Sequence, residues 1–394
     1  MLDASKALIS RIARWCALAT AALVSVGGFS TTVLAQAVPV PGANFGTVTY
    51  SGFGPTMDWF THNIPQRMDR LRQGYGAGPD VSLREGEGLA AALKKSGVAS
   101  GKPLFSAQGR TDLGGPLSVW VTGLGYFGSV NNDGASPGYA YDLGGFLAGV
   151  DYRQRNYLIG IHLGYVRSDS RSNDNVTSYE SNAFIIGAHT GLRWDGGSFG
   201  KMYLDGTITF GIMDSDATIG LGSVGLGGSI RGGYSGLAVG GYVEAGTILN
   251  YGGVLFQPMV GLRIVHMDNN GFQASGTAGT FNIGGQDQTS VRSILGVRVS
   301  HSLPVSGRDR LTIKGRVAWL AELADVSSTS VGAQVGGLNS LILRSNNTGR
   351  NFAHLGGALH YQASKSIGFL VDYSATMSTQ SVVHAIWGAV RVVW

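Results

Sequence analysis

The sequence has 394 residues, 63 of them glycine, with 43% apolar residues and only 13% Asp, Glu, Lys and Arg, where an ordinary soluble domain carries about 25% charged residues. That balance excludes a disordered chain and argues against a typical cytosolic enzyme, while glycines without a period of three exclude collagen. The net charge of +5 sits partly in Lys6, Arg11 and Arg14 and predicts no nucleic-acid surface, so length and composition favour one large all-β unit.

Residues 1–14 are basic, 15–29 are small and apolar, and small residues follow, so 1–37 reads as a signal peptide cleaved near Ala35 and Ala37. Export through the Sec translocon is expected. The apolar run is too short and too rich in Gly, Ser and Thr for a membrane span of about 20 residues. Cys16, the one cysteine, lies inside this leader, so the exported chain is expected to fold without disulfides. Residues 38–56 then read as a short, flexible segment rich in Gly, Pro and Thr.

From about residue 117 onward, stretches of roughly 11 to 16 residues alternate apolar with small or polar positions, as tilted membrane strands do. In 202–212, Met202, Leu204, Gly206, Ile208, Phe210 and Ile212 share one face, and Tyr203, Asp205, Thr207, Thr209 and Gly211 the other. A slip of one residue would put Asp205 in lipid, which fixes the register. Phe184 to Trp194 and Leu311 to Trp319 repeat the pattern, with charged side chains on one face only. Similar alternation over 119–128, 144–152, 157–167, 236–250, 254–266, 291–301, 352–361, 367–376 and 384–394 brings the expected count to twelve. An even number of antiparallel strands can close, and closure is the sheet arrangement that leaves no unpaired edge in hydrocarbon. The expected fold is therefore all-β, a 12-stranded antiparallel transmembrane β-barrel.

The expected connections alternate in length. Long links (129–139, 168–180, 214–235, 267–289, 323–350) face one rim and short ones (153–156, 195–198, 251–253, 302–309, 362–366) the other, as in an outer-membrane barrel. The last link on the long side, near 378–382, is short, and 331–343 could add a strand excursion. Trp120, Tyr152, Tyr157, Trp194, Tyr203, Tyr251, Trp319, Tyr361 and Trp394 lie near strand ends, where interfacial aromatic girdles form.

Ordered stretches then carry a resemblance. Val119-Trp120-Val121, Gly144 to Tyr152, Ile159 to Tyr165, Val239 to Gly246, Gln257 to Leu262, Arg316 to Glu322 and Leu370 to Tyr373 together resemble the translocator domain of autotransporters, the type V secretion proteins of Gram-negative bacteria, over 116–394. The resemblance implies an outer-membrane barrel whose lumen holds an α-helix leading to an N-terminal passenger at the cell surface. Residues 57–115 would be the linker. Within it, 56–73 is similar to the lumen helix, with Arg67, Arg70 and Leu71 at three- and four-residue spacing and Pro65 placed to open its second part. A second helical stretch, 87–96, would occupy the pore or hang below it. Lumen-facing acidic candidates that would meet the helix arginines are Asp151, Asp205, Glu244 and Asp372. The passenger is expected to be minimal, since 38–56 has no room for a toxin, protease or adhesin domain.

The C-terminal strand alternates Ile386, Gly388, Val390, Val392 and Trp394 up to a terminal aromatic. It resembles the signal that the outer-membrane barrel assembly machinery reads by strand pairing. The lipid partner is expected to be outer-membrane lipid and lipopolysaccharide, and the chain is expected to act as a monomer.

No catalytic, metal or cofactor site is expected. Gly220 to Gly225 fits GxGxxG formally but lacks the strand-then-helix context of dinucleotide binding, and the eight histidines are scattered. His162, His189 and His354 are expected to face the lumen. Loop residues Asp169, Asp174, Asp214, Asp216, His266 and Asp268 offer material for a rim enzyme, which ranks below a translocator. The alternatives to the translocator are a small-solute pore or structural outer-membrane barrel, and a surface-loop adhesin.

Overall fold

The computed structural model describes residues 47–49, 106–107 and 117–392, apart from 133–136, 155, 222–226, 278, 306–309, 325–329, 336–337, 345–348 and 363–366. Twelve antiparallel strands form a closed barrel: β1 (Leu117–Val130), β2 (Tyr139–Arg153), β3 (Tyr157–Ser172), β4 (Ser178–Asp195), β5 (Lys201–Gly220), β6 (Ser229–Tyr251), β7 (Val254–Asn269), β8 (Gln286–Pro304), β9 (Arg310–Glu322), β10 (Asn351–Gln362), β11 (Ile367–Met377) and β12 (Ser381–Val392). Each pairs with the next, and β12 returns to β1 from Ser381↔Val130 to Ile386↔Gly125. The leader, the linker helix stretches 56–73 and 87–96, and Trp394 lie outside the described residues.

The outward face is the apolar one. Ile159, Ile161 and Leu163 on β3, Phe184 and Ile186 on β4, and Ile208, Phe210 and Ile212 on β5 are all exposed on the barrel wall. On β3 this stripe runs from Tyr157 to Tyr165. Nine residues at about 3.3 Å each, tilted by roughly 40°, rise about 23 Å, which matches the ~25 Å apolar band of an outer-membrane barrel. Tyr152, Tyr157, Trp194 and Trp319 are exposed at strand ends. Tyr203 departs from the expected girdle: it is buried inside the wall, because odd positions of β5 point inward.

The strands also run further than expected on the long-loop side. β3 continues to Ser172 and β4 begins at Ser178; β5 continues to Gly220 and β6 begins at Ser229. Thus most of the links expected at 168–180 and 214–235 are paired strand. Above the lipid stripe the outward positions become polar and exposed (Arg167, Glu180, Asp214, Asp216, Ser235, His266), so the apolar signal on that face ends. The inward positions keep the strands together instead. Val166, Tyr179, Met213, Ile219, Ile230, Tyr234 and Met267 are buried there in one apolar cluster.

A hairpin from the β7–β8 link, Phe272–Gly276 with Gly279–Ile283, folds onto this cluster. It pairs with β6 through Ser275↔Arg231 and Gly276↔Ile230, contributes buried Ala274, Phe281 and Ile283, and stacks Phe272 on Tyr234 at 5.0 Å. The strand excursion expected near 331–343 is present as a second hairpin, Ser330–Val335 with Leu338–Arg344, which joins the first through Phe281↔Val335 to Ile283↔Ala333. Two short strands from the N-terminal part complete the pairing. Thr47–Thr49 lies parallel to Ile342–Arg344, and Ser106–Ala107 lies parallel to Ala389–Val390 of β12.

Candidate functional site in the barrel lumen

Strand alternation sends every second side chain of β1–β12 into the lumen, and in the lower part of the barrel these are polar. The four acidic residues singled out from sequence are all buried on that inner face: Asp151 on β2, Asp205 on β5, Glu244 on β6 and Asp372 on β11. Three of them anchor separate polar groups.

On β2–β5, His189 Nε2 lies 2.9 Å from Asp151 Oδ1, His189 Nδ1 lies 3.2 Å from His162 Nδ1, and His162 Nε2 lies 3.2 Å from the Thr209 hydroxyl. Four strands are thereby crossed by one chain of side-chain contacts. It fits because the residue directly opposite each histidine is glycine. His189 faces Gly160 and His162 faces Gly187 in the register, and a Cβ at either glycine would come within 2.4 Å of the imidazole.

On β5–β8, Glu244 is held by Arg298, whose Nη1 and Nη2 each donate at 2.7 Å to one carboxylate oxygen. The Tyr203 hydroxyl donates to Glu244 at 2.8 Å, the Tyr242 hydroxyl donates to its other oxygen, and Gln257 donates to Tyr203 at 3.0 Å. Tyr203 lies over Gly246, its cross-strand partner. A two-pronged guanidinium–carboxylate contact of this kind is among the strongest side-chain interactions available to a protein.

On β9–β11, Arg316 makes the same fork to Asp372 at 2.9 and 2.6 Å, and its Nε lies 3.3 Å from His354, which contacts the Thr376 hydroxyl at 2.9 Å. Arg316 lies over its opposite glycine, Gly356. Nearer the loop rim, Arg292 Nε donates to Glu322 at 2.8 Å and its guanidinium sits 4.4 Å over the Phe352 ring. Ser290 Oγ and the Val291 amide also donate to Glu322.

Asp205 is buried on the same face and stands opposite Glu244 in the register. The remaining sequence-derived residues stay apart from these groups. Arg67, Arg70, Leu71, Ala35 and Ala37 lie outside the described residues, and of the C-terminal set Ile386 is exposed on the outer wall, while Val390 and Val392 belong to β12 by backbone pairing.

Sequence reasoning missed Arg298, Arg292 and Glu322, and the tyrosines on Glu244. Parity alone puts them inside, but only the cross-strand register reveals who meets whom. On the outer side, Asp142, Asp169, Glu180 and Asp216 stand in one cross-strand row, and Arg167 bridges two of them, with Nη2 donating to Glu180 at 2.8 Å and Nε to Asp169 at 3.3 Å. Among the described residues no group of three or more His, Cys, Asp or Glu is arranged to hold a metal.

Chemically, the lower lumen wall carries several ion pairs and hydrogen-bonded groups, and an apolar cluster lies above them. Comparisons with known proteins agree with this shape. The solved structures similar to the chain include the translocator domain of the autotransporter NalP from Neisseria meningitidis, at 15% identity and a TM-score of 0.51 over 84% of this chain and 97% of that one. The transport unit of the autotransporter AIDA-I from Escherichia coli is similar at 13% identity and a TM-score of 0.47, over 77% and 98% of the two chains. The β domain of the Bordetella autotransporter BrkA is similar at 15% and 0.46, over 68% and 98%. No curated protein matches the chain. The family model for the autotransporter β-domain matches residues 119–374, nearly the whole barrel, so the chain belongs to the autotransporter β-domain family and is an outer-membrane β-barrel.

Proposed function

We propose that this barrel carries its own N-terminal segment across the outer membrane and keeps it at the cell surface as a minimal passenger. The observation that supports this reading is where the two short N-terminal strands pair. Thr47–Thr49 pairs with the hairpin in the β9–β10 link, on the long-loop rim, which faces the outside in this class of barrel. Ser106–Ala107 pairs with β12 near its end, on the opposite rim, where β1 begins. On this reading the chain passes from one side of the membrane to the other between residues 49 and 106.

The lumen is the proposed route. An α-helix over 56–73 would rise about 27 Å at 1.5 Å per residue, enough to cross the apolar band, and would bring Arg67 and Arg70 to a wall whose Asp151, Glu244 and Asp372 already have partners of their own. The same reading gives the chain its expected partners: the Sec translocon for export, the barrel assembly machinery for insertion, and lipopolysaccharide around the outer wall. It assigns no catalysis to the barrel and treats it as a monomer.

A small-solute pore fits less well, because the inward residues toward the long-loop rim, among them Tyr179, Ile219, Ile230, Met267 and Phe281, are buried and apolar where a water-filled channel has a polar lining. An epitope tag inserted at residue 45 tests the reading directly. It should bind antibody on intact cells; a tag detected only after permeabilisation removes the proposal. Deleting 57–73 should raise ion conductance in planar bilayers, and unchanged conductance would count against a helix in the lumen.

A further inference from the structure

Residues 47–49 of the N-terminal segment have a specific backbone partner. Above the lipid band the barrel carries a side sheet. It starts from β6, which pairs with Phe272–Gly276; that strand pairs with Gly279–Ile283, then come Ser330–Val335 and Leu338–Arg344. A sheet growing away from a barrel in this way must end in an edge, and an edge strand presents unpaired amides and carbonyls to whatever extended chain comes near. Here the edge is Leu338–Arg344, and at Ile342, Leu343 and Arg344 it is occupied in parallel register by Thr47, Val48 and Thr49.

The sequence of that occupant suits the role. Thr47-Val48-Thr49 is a β-branched triplet in a segment otherwise dominated by Gly, Pro and small residues, and β-branched residues favour extended backbone. Strand addition is also a binding mode in which main-chain hydrogen bonds supply the affinity, so a stretch this short can use it when the rest of the chain holds it close. Its tether is supplied by the barrel itself.

We infer that the exported N-terminal segment is docked at the cell surface as the edge strand of the side sheet, by parallel pairing of residues 47–49 with 342–344, and is not a free tail. The inference rests on the display reading above and adds the place and manner of retention. It also gives the β9–β10 hairpin a task, which is to receive the segment once it has crossed.

Site-specific cross-linking in the full-length chain tests this. Replacing Cys16 by Ala leaves introduced thiols as the only ones. Val48→Cys with Leu343→Cys brings together two positions paired in the register; Val48→Cys with Leu338→Cys places them about 16 Å apart along the strand, beyond disulfide reach. Heat-modifiable gel migration verifies that each variant has a folded barrel, and the tag at residue 45 reports display independently. The expected result is an intramolecular disulfide in the first pair at least tenfold more abundant than in the second. If the tag is accessible on intact cells but the two pairs cross-link equally, docking is overturned while display stands. A cross-linked dimer in place of the intramolecular product would give the edge to a second copy and overturn the inference as well. A tag hidden until permeabilisation brings down both readings.

Discussion

Glu244 offers the sharpest test of the lumen wall. It is 1% exposed, and it accepts from both Arg298 Nη atoms and from the hydroxyls of Tyr203 and Tyr242. Glu244→Met keeps most of the volume but takes the carboxylate away from a guanidinium that is itself only 11% exposed. Breaking a buried ion pair from one side costs about 3–5 kcal/mol, whereas replacing both members with apolar side chains is often near neutral. The double variant Glu244→Met/Arg298→Met should therefore be more stable than Glu244→Met alone. The coupling between the two positions should be at least about 3 kcal/mol, at or above the upper end of the range found for residues in direct contact. Urea unfolding of the purified barrel in lipid vesicles, followed by tryptophan fluorescence, gives the four corners of the cycle. Additive effects, or a single substitution costing under about 1 kcal/mol, would mean that solvent in the lumen already screens the pair and that the wall is not held by it.

Other consequences concern register, packing and the mouth. Ile208→Lys puts a charge on the lipid face and should cost about 2–4 kcal/mol in vesicles, while Thr207→Lys, one residue away and inward, should cost under about 1 kcal/mol; equal losses would contradict the assigned faces. Gly160→Ala would place a Cβ 2.4 Å from His189 and 2.6 Å from Asp151 and should destabilise by about 1–3 kcal/mol. Gly315→Ala, where the space beyond the Cβ is open, should be neutral or slightly stabilising; similar losses at both sites would argue that backbone propensity dominates over contact. Phe281→Ala removes a fully buried ring from the cap, so the 272–283 hairpin should become protease-sensitive on intact cells while the barrel remains heat-modifiable. Unchanged resistance would show that the ring does not hold the hairpin down.

How much of this was legible beforehand follows from what each face touches. Where a strand crosses lipid, the outward residue has to be apolar and the inward one is free to be polar, so Ile208/Thr209 or Leu204/Asp205 mark the barrel strongly enough to number its strands. Above the lipid both faces change. Glu180 and Asp216 now point to water and Tyr179 and Ala217 point to a core, so the polarity inverts and the stretch resembles a loop although pairing continues. The aromatic rule failed at Tyr203 for a related reason: a ring near a strand end satisfies the girdle pattern whichever way it faces, and parity had already placed it beside Asp205. The lumen groups were legible as inward residues and no further. That Arg298 reaches Glu244 across β7, or that Arg316 reaches Asp372 across β10, depends on side chains spanning one intervening strand, which no spacing along the chain encodes.

The glycine content and the shape of the lumen have a common cause. Long polar side chains standing upright would project toward the axis. Instead His189, His162, Tyr203 and Arg316 each lie down across a directly opposing glycine, and Tyr141 does the same over Gly128. Each glycine removes the one Cβ that would force the neighbour upright. Lying flat, the side chains reach partners on neighbouring strands and pair on the wall. An ordinary protein interior is packed to crystal-like density, and a barrel meant only as a structural element would gain most by filling itself. A wall whose glycines let large polar groups lie along it is what the proposed passage of a chain through the lumen requires.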